Sequence, residues 1–175
     1  MGVQEECVEV EPKREVVQRS GFREGVVAAI FIGPEAQQPM ASVNEVRAIA
    51  GHGLQGDRYS RGAGTFPQKS PNQQVTLIEA EAVEAAARDY ELEIDAAETR
   101  RNLLTRNVAL NHLVGREFRI GEVRLHGLKL CEPCGHLEKL TGKQMIKAMR
   151  HRCGLRAEIL CDGSIRVGDP VKEGE

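Results

Sequence analysis

No tryptophan occurs in the 175 residues, and aromatic residues make up only 3% of them. The core must therefore be built from Val, Ile, Leu and Ala, while 29% charged residues provide a soluble surface. No apolar run approaches the roughly 20 residues that a bilayer-crossing helix needs. The longest, over residues 25–33, is short and β-branched and reads as a strand. The start, Met1-Gly2-Val3-Gln4-Glu5-Glu6-Cys7, is acidic and lacks the basic-then-apolar order of a secretory signal. Glu6 also stands where a myristoylation motif wants Ser or Thr. These absences predict a cytoplasmic protein with no membrane partner. An even cysteine count is missing too: the five cysteines argue against a closed disulfide framework and are expected to stay reduced. Neither a phosphate-binding Gly-x4-Gly-Lys-Ser/Thr loop nor a zincin motif is present.

The net charge of −2 gives no reason to expect nucleic acid as a partner, but its distribution is uneven. Residues 1–99 hold 9 Lys/Arg against 17 Asp/Glu, whereas residues 100–156 hold 13 against 4. A local excess of positive charge favours an anionic ligand and an ionised thiol.

The length suits one full hydrophobic core and is short for two. Residues 1–22 alternate Glu, Val, Lys and Arg without a sustained period and read as a tail or edge segment, followed by one domain over 23–175. Strands are expected at 25–32, 42–50, 74–78, 113–121 and 123–130, the last two joined by Gly121-Glu122. Residues 155–161 and 164–171 read as a hairpin turning at Asp162-Gly163. The Ala- and Glu-rich stretch 79–90 predicts a helix, and Met145, Ile146 and Met149 share a face in a second helix over 143–151. Gly51, Gly53 and Gly56 mark a tight or ligand-facing loop, and 60–73 reads as a further loop. Many short strands with two or three helices point to a mainly β architecture, a barrel or closed sheet decorated by helices.

Leu128-Lys129-Leu130-Cys131-Glu132-Pro133-Cys134 is an alternating strand that stops at proline and delivers a thiol where the chain turns. Cys131 and Cys134 have a spacing used by zinc sites, with His136, His151 or Cys153 as further ligands, but no second Cys-x2-Cys follows. A thioredoxin-like pair belongs at a helix N-terminus, which Pro133 and Gly135 do not favour. The remaining reading is one functional thiol at Cys134 with Cys131 a packed neighbour, and Cys7, Cys153 and Cys161 as ordinary buried cysteines. Asp57-Arg58 is either a ligand contact or a salt bridge at a turn. Arg101-Asn102 has the donors to hold an anion.

Gly53-Leu54-Gln55-Gly56-Asp57-Arg58, Gln74-Val75-Thr76-Leu77-Ile78, Arg101-Asn102-Leu103, residues 113–121, Pro133-Cys134 and residues 153–157 through 163–170 together resemble the MOSC domain, named after the C-terminal domain of molybdenum cofactor sulfurases. The resemblance spans about residues 25 to 172 and implies a MOSC-type β-barrel. It implies an essential cysteine at Cys134, the family's cysteine after proline, and a role with the molybdenum cofactor (molybdopterin). In related amidoxime-reducing enzymes the equivalent cysteine ligates molybdenum, a soft-ligand preference that thiolate meets. The resemblance thus suggests Cys134 as catalytic residue and metal ligand in reduction of N-hydroxylated compounds. Arg58, Arg101 and Asn102 would lie near the phosphate of an anionic pterin, and a redox or sulfur-donor protein would be the partner. A sulfur carrier forming a persulfide on Cys134, and a non-catalytic zinc-stabilised domain, are the alternatives. The chain has no room for a pyridoxal-phosphate desulfurase domain and lacks the separate N-terminal barrel of the amidoxime reducers, so it looks like a stand-alone member.

Overall fold

The computed structural model describes residues 25–64 and 74–174. The expected tail, with Cys7, and most of the loop 60–73 lie outside the described residues.

In β1 (Gly25–Ile32) an irregularity between Val27 and Ala29 shifts the register, so that Val27 and Ile30, three apart, are both buried in one cluster with Ile32. Seven strands close around that core. β1 pairs with β6 (Leu103–Arg106), β6 with β5 (Val75–Glu79), β5 with β9 (Leu155–Ile159), and β9 with β8 (Val123–Leu130). β8 pairs with β7 (Glu117–Ile120), β7 with β11 (Pro170–Glu173), and β11 returns to β1. The result is a closed, mixed barrel in which β5–β6 is the parallel pair. Closure removes sheet edges and lets aliphatic side chains fill the interior without tryptophan. Leu77, Leu103, Phe118, Ile120, Leu125 and Leu155 are all fully buried there.

Period-2 alternation also supplies a second core outside the barrel. Leu77 faces in, and its neighbour Ile78 faces out against Val83 and Ala86 of α1 (Ala80–Asp89) and Met145, Ala148 and Met149 of α3 (Met145–Met149). Leu137 of α2 (Gly135–Thr141) joins this cluster, as does Cys153. The parallel β5–β6 pair needs a crossover connection, and α1 is the helix within it.

Three expectations change. The strand read over 42–50 is two: β2 (Ala41–Val43) pairs with β1, while β3 (Glu45–Ile49) pairs with β10 (Gly163–Arg166) and β4 (Gly53–Leu54) in a separate three-stranded sheet. The chain bends at Asn44, whose carbonyl accepts from Val167. The hairpin at Asp162-Gly163 does not form. A tight hairpin turn of the Asp-Gly type needs positive φ, and Gly163 does not adopt it. Asp162 instead accepts from the Ala50 backbone at 2.8 Å, steering β10 onto β3 rather than β9. Finally, the helix expected over 143–151 is confined to α3, and α2 precedes it. Gly142, left-handed at φ 65, separates the two. It is a C-terminal stop signal of the kind legible in sequence.

Candidate functional site

β8 ends at Leu130, and the next four residues carry both cysteines to the start of α2. Cys131 is buried at 1% exposure, whereas Cys134 is exposed and occupies the N-cap of α2 with extended backbone (φ −137, ψ 165). The asymmetry read from the sequence is therefore present in burial. Pro133 and Gly135, which do not favour a helix start, nevertheless lead into one, with Gly135 its first residue.

Cys134 lines a cavity of about 70 Å³ together with Arg58, Arg100, Arg101, Asn102 and Arg156. Four arginines outnumber the two carboxylates at hand, Glu132 in the lining and Asp57 beside Arg58. Arg58 is 5% exposed, stacked 4.8 Å from the centre of the Tyr59 ring, with Nη1 3.7 Å from Asp57 Oδ2. Arg100 donates from Nη1 to the Gln38 carbonyl at 2.7 Å. Neither Arg58 Nε nor Arg100 Nη2 has a hydrogen-bond partner among the described residues, although both atoms are buried. Burial, and after it the adjacent charge of Arg58, pulls the Arg100 pKa below its ordinary value. Two guanidiniums held close with donors unspent describe a seat for an anion, since a buried unsatisfied donor otherwise costs about 1–3 kcal/mol.

Arg101 and Asn102 also border the cavity, but their polar atoms are largely committed elsewhere. Arg101 Nε donates to the Cys153 carbonyl at 2.9 Å and Nη1 to the Thr99 carbonyl at 3.0 Å. Its Nη2 donates to the Cys131 carbonyl at 2.7 Å and to Cys153 Sγ at 2.9 Å. Asn102 accepts from Thr76 Oγ1 at 2.9 Å and donates to the Phe31 carbonyl at 3.2 Å and to Asp57 Oδ2 at 3.1 Å. Asp57 accepts in addition from the backbone of Gly33 and Tyr59, both at 3.0 Å. The sequence suggested Arg101 and Asn102 as anion holders. Their observed bonds tie β1, β5, β6 and the cysteine loop together around the cavity, leaving Arg58 and Arg100 with the free donors.

Arg100 was the residue that sequence reasoning passed over. It follows a 3₁₀ turn (Ala96–Thr99) closed by an Asp95–Glu98 capping box, and its left-handed backbone (φ 60, ψ 27) separates its course from that of Arg101. The Asp95-x-x-Glu98 pattern was a visible signal of that turn. Arg156 reaches the site from β9, opposite Thr76 in register.

Gly33 sets the position of Arg58. A Cβ there would lie 1.9 Å from Arg58 Nη1, and the Gly33 carbonyl accepts from the Arg58 backbone at 2.8 Å. Gly33→Ala is expected to displace the buried Arg58 terminus, at a cost of about 1–3 kcal/mol from overpacking, and to weaken whatever affinity the cavity has for phosphate. Urea unfolding and phosphate titration by calorimetry measure the two effects separately.

Cys153 sits beside Arg101, yet burial pushes its thiol up to about 11 from an ordinary 9.0, outweighing the opposing Arg101 charge. Below pH 9 the thiol is protonated in both folded and unfolded chains. As pH rises from 9 to 11 only the unfolded chain releases the proton, so stability should fall by roughly 3 kcal/mol over that window. Cys153→Ala should flatten the slope in denaturation series across it.

Among the described residues no three His, Cys, Asp or Glu side chains converge to hold a metal. His151, offered by the sequence as a zinc ligand, is bonded to Glu132 instead. No helix among those residues is long and apolar enough to cross a membrane.

A family model described as the MOSC domain matches residues 65–172. The structure is similar to that of the YuaD protein from Bacillus subtilis, with a TM-score of 0.72 and 11% identity over 85% of this chain and 94% of that one. It is also similar to YiiM from Escherichia coli, with a TM-score of 0.65 and 18% identity over 87% and 70% of the two chains. YiiM from Geobacillus stearothermophilus gives 0.66 and 14% over 86% and 75%. At such identities the likeness is one of fold. None of the curated proteins matches the chain.

Proposed function

The chain belongs to the MOSC domain family, and from that premise we propose that it binds the molybdenum cofactor, with Cys134 as metal ligand, and acts in the cytoplasm in the reduction of N-hydroxylated compounds. The observation carrying the proposal is the pairing of an exposed thiol with a cavity whose two guanidiniums keep unspent, buried donors. A phosphate-bearing chelate of a soft metal asks for that donor set, with cations at one end and a thiol at the other. The phosphate would lie among the arginines and the pterin body toward Cys134.

Arg58 and Arg100 would hold the phosphate, while Arg101 and Asn102 keep the surrounding segments in place. Bound molybdenum would supply two-electron redox chemistry, which no side chain of the site offers. Cys134 would orient the metal from a position fixed by β8 and α2. Electrons would come from a redox partner protein.

Protein produced in a host that makes the cofactor should carry about one molybdenum per chain by mass spectrometry, and Cys134→Ser should lose most of it, since a hydroxyl is a poor ligand for a metal that prefers thiolate. Metal-free protein that cannot be loaded with purified cofactor would sink the proposal. Cyanide-releasable sulfur on Cys134 in that metal-free protein would identify a sulfur carrier instead.

A further inference from the structure

The segment between the two cysteines is fastened to the turn at 151–154 from three sides. Cys131 donates its backbone N–H to the Gly154 carbonyl at 2.7 Å. Arg101 joins the Cys131 carbonyl to the Cys153 carbonyl and Sγ. The third fastening has no part in the function proposed above. The Glu132 carboxylate accepts from the His151 backbone N–H at 2.9 Å and lies 3.0 Å from His151 Nδ1. His151 is a non-glycine residue in left-handed backbone, φ 61, a conformation that costs on the order of 1 kcal/mol and persists only when its surroundings hold it. Its carbonyl is held as well, accepting from Asn111 Nδ2 at 3.2 Å. Partial burial pushes the Glu132 carboxyl up, but the two His151 bonds and the charges of His151 and Arg150 outweigh it and leave the pKa below its ordinary value. Glu132 is doubly engaged, two residues before Cys134, with the fixed φ of Pro133 between them.

We propose that Glu132 is a positioning residue for Cys134, its clamp on His151 holding the thiol at the arginine-lined cavity; this rests on the reading that Cys134 is the working thiol. α2 has only seven residues, and Cys134 at its N-cap makes no side-chain capping bond. On its far side the loop is held by α2, whose Glu138 N–H donates to the Cys134 carbonyl at 3.2 Å and whose Leu137 is buried in the outer core. On its near side the anchorage comes from the 151–154 turn, through a short connection that transmits the position of Glu132 to Cys134.

The test needs no cofactor. Rates of Cys134 alkylation by anionic iodoacetate and by neutral iodoacetamide are measured near neutral pH, resolved by peptide mass spectrometry, and each is divided by the rate in denatured protein. In the wild type the surrounding arginines should raise the iodoacetate-to-iodoacetamide ratio above that of the denatured chain. Glu132→Ala and His151→Gly should each lower this ratio by about threefold or more as the thiol leaves the positive field. Glu132→Gln should restore most of it, because its amide oxygen can accept from the His151 N–H while its amide NH2 donates to Nδ1 of the neutral ring, keeping the ring contact that His151→Gly removes. Removing the carboxylate by itself strengthens the positive field, so a charge effect alone would raise the ratio equally in the Ala and Gln variants. That result, or a wild-type ratio in His151→Gly, would overturn the proposal. Should Glu132→Ala fail to fold, His151→Gly decides, because it removes only the ring contact and relieves the left-handed backbone. A failed molybdenum-loading experiment would leave this outcome untouched, so the two ideas fail separately.

Discussion

Arg101→Ala is expected to destabilise the protein by about 4 kcal/mol, at the high end for a single substitution, and to lower the melting temperature by roughly 8–16 °C for a chain of this size. The guanidinium is 8% exposed, and its partners are the carbonyls of Thr99, Cys131 and Cys153 and the Cys153 thiol. Deleting it strands three buried acceptors, each costing about 1–3 kcal/mol where no water replaces the donor. Arg101→Lys should recover little, because one ammonium has three donors on a single atom and cannot span carbonyls that a planar fork reaches from three nitrogens. Both substitutions should also release the cysteine loop and lower cofactor loading. A loss below about 1 kcal/mol in urea unfolding would show that the guanidinium is dispensable to the fold and would return it to the role of anion holder.

Gly154→Ala should be comparably damaging through a different cause. Gly154 has φ +94, a backbone conformation that disfavours any Cβ, and that Cβ would fall 1.8 Å from the Leu77 carbonyl oxygen of β5. The obstacle is barrel backbone rather than a side-chain tip, so relief requires shifting β5 or the 151–154 turn. A cost of about 3–5 kcal/mol is expected from strain and overpacking together. Because the Gly154 carbonyl accepts from Cys131, the displacement should reach the cysteine loop as well. Thermal unfolding of the variant checks the first effect, and accessibility of Cys131 to thiol reagents checks the second. Gly154→Ala with an unchanged melting temperature would mean that the turn is far softer than its contacts imply.

The two substitutions act on one structural fact: the thiol loop is fastened to the core through Arg101 and the 151–154 turn. Sequence reasoning saw parts of this. The Pro133-Cys134 turn, the strand before it and the unequal status of the two cysteines were legible because alternation and proline are local signals. The barrel was legible as a class, since short aliphatic strands in number have few other ways to bury both cores. The pairing of β10 with β3 was not, because Asp162-Gly163 carries the local signature of a hairpin and a side-chain bond from Asp162 to Ala50, 112 positions away, overrides it. Helix α2 was missed because Gly135 is a poor helix former, while the burial of Leu137 against the outer core supplies what propensity lacks.

The arginines show the same division most sharply. The sequence by itself determined that positive charge accumulates over residues 100–156 and that a thiol stands within it, because charge and residue order are properties of the chain. Which arginine binds and which one braces was decided only in three dimensions. Arg100 and Arg101 are adjacent and chemically identical, but the left-handed backbone at Arg100 sends one guanidinium toward Arg58 with a donor unspent and leaves the other among carbonyls that consume it. Hydrogen-bond donors are finite, and their allocation depends on which acceptors the closed barrel brings within about 3 Å.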